Sequence, residues 1–283
     1  MLRTAVVVAA LFAALGGPHR AATGSAPSDA FAEYEVYAVR YGTLRGFPMR
    51  SLVLGADTAA RVDLAMMIWV LRSPDRIVLV DAGVYRDEFL RTWGIEDFVK
   101  PSEALAPLGI APDDVTDIVV THLHWDHADG ADLFPKARVW IQKGEYEHFR
   151  DSTNLPRSGV FAVDMAMLDR IAAANRLRLV PGDSSVIAPG VVVFTGGRHT
   201  RESQYVSVAM AGATCVIASD NVYLYANLER RRPIAATWDT LANLAAQDRM
   251  RRLASHSRLI VPGHDPAVFT RFPTVAPGVV RIQ

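Results

Sequence analysis

Four short apolar runs in this chain each stop at a histidine or an aspartate. Residues 118–120 lead into Thr121-His122-Leu123-His124-Trp125-Asp126-His127, residues 191–197 lead to His199, residues 214–219 to Asp220 and residues 259–263 to His264. Short runs rich in Val and Ile read as buried strands, so the chain is built on sheets whose ends carry polar groups.

The other elements follow the same logic. Strands are expected at residues 34–41, 65–71 and 76–80, the last two joined by the turn Ser73-Pro74-Asp75, and again at 138–141, 205–210 and 258–261. Residues 164–174 are rich in the helix formers Ala, Met and Leu. Trp238, Leu241, Ala242, Ala245, Ala246, Met250 and Leu253 recur at helical spacing after a candidate cap at Thr237. Strands, a helix, more strands and a late helix predict an α/β fold of the αββα sandwich type, two central mixed sheets with helices on the outer faces. A doubly wound sheet is the alternative. No repeat or linker divides residues 30–283, which are expected to form a single domain.

The first residues read differently. Arg3, an apolar stretch at residues 5–15 and small residues at 21–26 have the order of a secretory signal peptide, placed at residues 1–26. The apolar stretch is shorter than the about 20 residues that span a bilayer. The mature protein is therefore expected in the periplasm or secreted, without stable membrane insertion.

Thirty basic and thirty acidic side chains cancel, which leaves no global field for nucleic acid. The cluster Arg230-Arg231-Arg232 reads as a solvated loop. A single cysteine, Cys215, excludes an intramolecular disulfide and a thiolate-rich metal site. Its apolar setting argues against a nucleophile.

The chemistry concentrates at residues 121–130. Three of the eight histidines and an aspartate fall within six residues. Imidazole nitrogen and carboxylate oxygen suit Zn(II), and also Fe(II), Mn(II) or Co(II). At a strand end His122 and His124 can point the same way, while Asp126 and His127, past the turn, can serve a second ion. His199, Asp220 and His264 are the further candidates. His19, His148 and His256 lack this context and read as incidental.

These motifs resemble the metallo-β-lactamase fold superfamily, from about residue 78 to 265, with Val80-Asp81-Ala82-Gly83 similar to its first aspartate motif. The resemblance implies that His122, His124 and His199 hold one metal and Asp126, His127 and His264 the other, with Asp220 bridging two zinc ions. Asp81 is implied as support for the metal loop, and Asp126 takes part in catalysis as well as ligation. Tyr223, three residues beyond Asp220, and Pro262-Gly263-His264-Asp265 look like the N-acyl homoserine lactonase-like members. There the phenol is implied to contact the substrate carbonyl or leaving oxygen. Two departures stand out. The usual Gly-His-Thr-Pro-Gly-His is here Gly197-Arg198-His199-Thr200-Arg201-Glu202, and the Gly-Gly after the metal motif is Asp129-Gly130.

The resulting expectation is a dinuclear zinc hydrolase that opens a lactone or cleaves a carboxylic ester by attack of metal-bound hydroxide on a small-molecule substrate. A β-lactamase-like amide hydrolase is the alternative. A thioester hydrolase, a redox di-iron protein and a non-catalytic metal-binding module stand behind it. Lactone turnover against β-lactam turnover separates the first two.

Overall fold

The structure, a computed structural model, describes residues 33–283. The expected signal segment at residues 1–26, with His19, lies outside the described residues. Thirteen strands form two sheets. The larger has the order β12 (Thr274–Ala276), β13 (Val279–Ile282), β1 (Glu35–Pro48), β2 (Arg61–Ser73), β3 (Arg76–Val80), β4 (Asp117–Val119), β5 (Arg138–Gln142), β6 (Leu177–Val180). The smaller runs β11 (Ile260–Pro262), β10 (Ala213–Ser219), β9 (Gln204–Met210), β8 (Val191–Thr195), β7 (Ser185–Ala188). Both are mixed: β3 to β6 pair in parallel beside the antiparallel β1–β2–β3 meander, and β10 pairs in parallel with β11 but antiparallel with β9.

The helices are α1 (Asp87–Trp93), α2 (Pro101–Ala104), α3 (Trp125–Ala128), α4 (Lys143–Arg150), α5 (Ala162–Ala173), α6 (Tyr225–Glu229), α7 (Thr240–Leu253) and α8 (Val268–Arg271). Strand alternation assigns the layers. On β2, Ala65, Met67, Trp69 and Leu71 pack against Val193, Val206, Val208 and Ile217 of the smaller sheet and form the interior of the sandwich. Leu64, Met66, Ile68 and Val70, one residue out of phase, face outward under Phe89 of α1 and Met165 and Leu168 of α5. The opposite face of the smaller sheet buries Val216 and Ala218 against Ala246 and Met250 of α7. The expected αββα sandwich is the fold.

Several details differ from the sequence reading. Strand β1 is longer than residues 34–41 and forms an extended hairpin with β2. Helix α7 is capped by Asp239, whose side chain accepts the Ala242 N–H at 2.9 Å, while the Thr237 hydroxyl donates to the Gly197 carbonyl. Trp238 and Leu241 are 55% and 76% exposed. The buried face of α7 includes Asn243 and Gln247 instead, because their amides satisfy backbone groups of the neighbouring 221 and 232 segments. His256 follows the end of α7, and Arg258 lies in a 3-10 turn before β11. Cys215 is fully buried, and burial pushes its thiol up to about 12, which removes it as a nucleophile.

Candidate metal centre

The metal motif sits where β4 ends. The Asp81 N–H donates to the Val119 carbonyl and the Ala82 N–H to that of His127, so the turn after β3 and the turn after β4 hold each other. Asp81 has a left-handed backbone, φ 61°, which aims its carboxylate into the metal loop. One oxygen accepts the Thr121 N–H at 2.7 Å, and the other accepts the Thr121 and Ser219 hydroxyls and His127 Nδ1–H at 2.8 Å. Asp81 is thus a support for the loop.

The retained glycine of the Asp129-Gly130 pair has a steric reason. A Cβ at Gly130 would sit well inside van der Waals contact with the Ala82 carbonyl oxygen. Asp129 is tolerated because its carboxylate turns away to the Arg86 guanidinium and to the Tyr85 and Arg86 N–H groups. The half-buried Asp132 and the fully buried Asp164 complete this group.

Seven expected ligands converge. His122, His124 and His199 lie with Asp220, and Asp126, His127 and His264 lie beside them. His124 Nδ1 is 3.0 Å from both His122 Nε2 and His199 Nε2. Asp220 Oδ2 stands 3.3 Å from His199 Nε2 and 3.7 Å from His122 Nε2. The other oxygen of Asp220 is 3.4 Å from His127 Nε2 and 3.0 Å from His264 Nε2. Asp126 Oδ2 is 3.6 Å from each of those two nitrogens. The Asp220 carboxylate therefore divides its two oxygens between the two groups.

Outer hydrogen bonds set the tautomers. His199 Nδ1–H donates to the Ala236 carbonyl, His264 Nδ1–H to Ala65, His124 Nε2–H to Ser158 and His122 Nδ1–H to the Thr121 hydroxyl. With His127 bound to Asp81 in the same way, each imidazole turns its other nitrogen, and its lone pair, inward. Lone pairs facing one another at 3.0 Å repel unless a cation lies among them. His127 Nε2 and Asp220 Oδ1 are also buried without a hydrogen-bond partner. These donors fit divalent metal ions.

The electrostatics agree. Burial and the neighbouring imidazoles hold His122 and His124 well below the usual range, in the neutral form that ligates. His127 behaves oppositely: against burial, the carboxylates of Asp220, Asp126 and Asp81 raise it, so this side of the site attracts positive charge. Against its own burial, His127 and His264 hold Asp220 well below the carboxylate range.

Tyr223 is buried beside the same centre, with its hydroxyl 3.5 Å from His199 Nδ1, while Tyr225 turns into the sandwich interior. Its backbone carbonyl accepts the His264 N–H, which couples the two strand ends. Gly263 is required nearby, since a Cβ there would lie 2.7 Å from Asp220 Oδ1. A cavity of about 220 Å³ opens over Asp126, Asp220, Tyr223 and His264, with an apolar wall that includes Phe47, Leu64, Met66, Trp93 and Trp125.

His148 packs its ring beside the exposed Trp238 and takes no part. Of the arginine cluster, Arg231 pairs with Asp248 and Arg232 donates to the Leu54 and Gly55 carbonyls, consistent with a solvated segment. Among the described residues, no helix is long and apolar enough to cross a membrane. Sequence reasoning missed Glu145, a fully buried carboxylate on α4 that accepts from the backbone of two ligand-bearing loops. The only signal was a charged residue following the apolar β5.

A histidine–aspartate metal cluster set at the sheet ends of an αββα sandwich defines a class of metal-dependent hydrolases. Residues 64–264 match the metallo-beta-lactamase superfamily, and the chain belongs to it. It is similar to the N-acyl homoserine lactonase AiiA of Bacillus thuringiensis subsp. kurstaki, 24% identical over 220 residues that cover 72% of this chain and 82% of that one. It also resembles the N-acyl homoserine lactonase AttM of Agrobacterium fabrum, 22% identical over 261 residues, 85% of this chain and 96% of that one. An N-acyl homoserine lactone hydrolase solved with N-hexanoyl-L-homoserine at its catalytic metal center shares the fold, with a TM-score of 0.70 at 20% identity over 88% of this chain and 99% of that one.

Proposed function

We propose that this protein is a dinuclear zinc hydrolase that opens a lactone or cleaves a carboxylic ester carrying an apolar substituent. The observation that carries the reading is the inward convergence of five imidazole lone pairs, four of them on the two oxygens of Asp220 and the fifth, of His124, on the nitrogens of His122 and His199. His122, His124 and His199 would hold one ion, Asp126, His127 and His264 the other, and Asp220 both. Bound there, the ions would supply a nucleophile from water near neutral pH and polarise a carbonyl. Asp81 keeps His127 oriented, and the Ala236, Ala65 and Ser158 carbonyls do the same for His199, His264 and His124. Tyr223, a neutral phenol, donates a hydrogen bond to the oxygen of the developing oxyanion or of the leaving group. Asp126, which lines the cavity between His127 and His264, faces the same reacting region. The apolar wall takes the hydrocarbon part of the substrate and excludes water from it.

Both lactonase relatives are named for lactone cleavage, which supports this substrate class over an amide. The test is a panel of lactones, open esters and β-lactams offered to the zinc-loaded mature protein. Turnover of β-lactams alone would overturn the ester reading, and turnover of none would leave a metal-binding module. Export is part of the proposal and is supported by the order of Arg3, the apolar stretch and the small residues. Recovery of Met1 from the cytoplasm of the native host would refute it.

A further inference from the structure

We propose that Glu145 and Glu202 form a positioning clamp that holds the His122–His124 loop and the His199 loop at ligating distance. The inference rests on the metal reading above. Glu145, in the first turn of α4, is fully buried. One of its oxygens accepts the Leu123 N–H at 3.2 Å, between His122 and His124. The other accepts the Glu202 N–H at 2.7 Å, three residues past His199. One carboxylate therefore spans two loops that are far apart in sequence and carry three ligands of a single ion.

Glu202 returns the contact. Its carboxylate accepts the Gly144 N–H at 2.7 Å, so the two glutamates and the start of α4 close a ring of hydrogen bonds. A Cβ at Gly144 would collide with that Glu202 oxygen, so the glycine leaves room for the clamp. With His199-Thr200 as the retained His-Thr, Glu202 stands where the related pattern has its second glycine, and the ring gives this chain's own residue a place beside the site. A fully buried carboxylate is costly, and here peptide N–H groups are its close partners. Burial accordingly raises the Glu145 carboxyl above its usual range. A cation held by His122, His124 and His199 would offset that cost, so the clamp and the ion support each other.

The clamp acts through the loops and touches no reacting atom, so its signature is metal affinity at one group of ligands. Glu145→Gln keeps one acceptor but turns an NH2 toward an N–H that then lacks a partner. The full mature chain, its Glu145→Gln variant and its Glu202→Gln variant would be titrated with cobalt(II) against a competing chelator, and the metal-free forms melted in parallel. Wild type should take up two ions. Glu145→Gln should weaken one of them at least tenfold and leave the other within about twofold, with the metal-free Tm lowered by no more than a few degrees. Glu202→Gln should weaken the same ion about threefold or more, and it decides the matter if Glu145→Gln does not fold. Unchanged affinity for both ions in the folded variant would overturn the clamp. So would equal loss of both ions alongside a lowered metal-free Tm, which marks a purely structural role. Fewer than two ions in wild type would instead overturn the metal assignment, and the clamp with it.

Discussion

Tyr223→Phe separates the phenol from the metals. The change deletes one hydroxyl and keeps a buried ring packed between His199 and His264, at centroid distances of 5.5 and 6.0 Å. Within the protein that hydroxyl lies beside the Asp220 carboxylate and 3.5 Å from His199 Nδ1, a nitrogen that already donates to the Ala236 carbonyl at 2.7 Å. Its loss should cost stability less than the ~1 kcal/mol of an ordinary intramolecular hydrogen bond. The expected loss in catalysis is larger. A single donor aimed at a developing oxyanion is worth ~3–4 kcal/mol, and partial replacement by water sets the lower end near one power of ten. On the best substrate of the lactone and ester panel, kcat should therefore fall roughly ten- to a thousand-fold with KM nearly unchanged, the pattern of a contact made in the transition state. Steady-state kinetics beside elemental analysis would check it. Wild-type kcat with both metals bound would refute the role of Tyr223, and a raised KM at constant kcat would reduce it to ground-state orientation.

Asp220→Ala removes the carboxylate that faces both ligand groups, so elemental analysis should fall from about two equivalents of metal to below one. Retention of one full equivalent would show that it serves a single ion. Gly130→Ala forces a methyl group against the Ala82 carbonyl and should destabilise by ~1–3 kcal/mol; an unchanged melting curve would refute the close approach. Asp164 offers a pH test, because burial first and the Asp129 carboxylate second raise it to about 8 despite Arg86. The folded state keeps a proton that the unfolded chain releases near pH 4, so stability should fall as pH rises between those values, by up to ~1.4 kcal/mol per unit. Asn cannot ionise, and Asp164→Asn should flatten that decline in urea melts from pH 5 to 8; parallel curves for variant and wild type would refute it.

The residues of the site were legible in the sequence because ligand chemistry is local. A histidine or aspartate at the end of an apolar run lies at the end of a sheet whatever the sheet pairs with, and His122, His124, Asp126, His127, His199, Asp220 and His264 all sit in the segments at such ends. The sandwich was legible for a related reason, since a continuous apolar run such as residues 65–71 needs a packing partner on each face. Helix α7 was misread on its apolar periodicity: Trp238 precedes the helix and Leu241 faces solvent, while Asn243 and Gln247 are buried by hydrogen bonds that reach other segments. The same holds at the metal centre. Only His122 takes its outer partner from its neighbour, Thr121; the inward nitrogen of the other four imidazoles, the division of the Asp220 oxygens and the reach of Glu145 to two loops depend on distant partners, up to 199 residues away. A sequence states which donors are available. Only the packed sheets decide which of them meet, because hydrogen bonds and lone pairs act over about 3 Å.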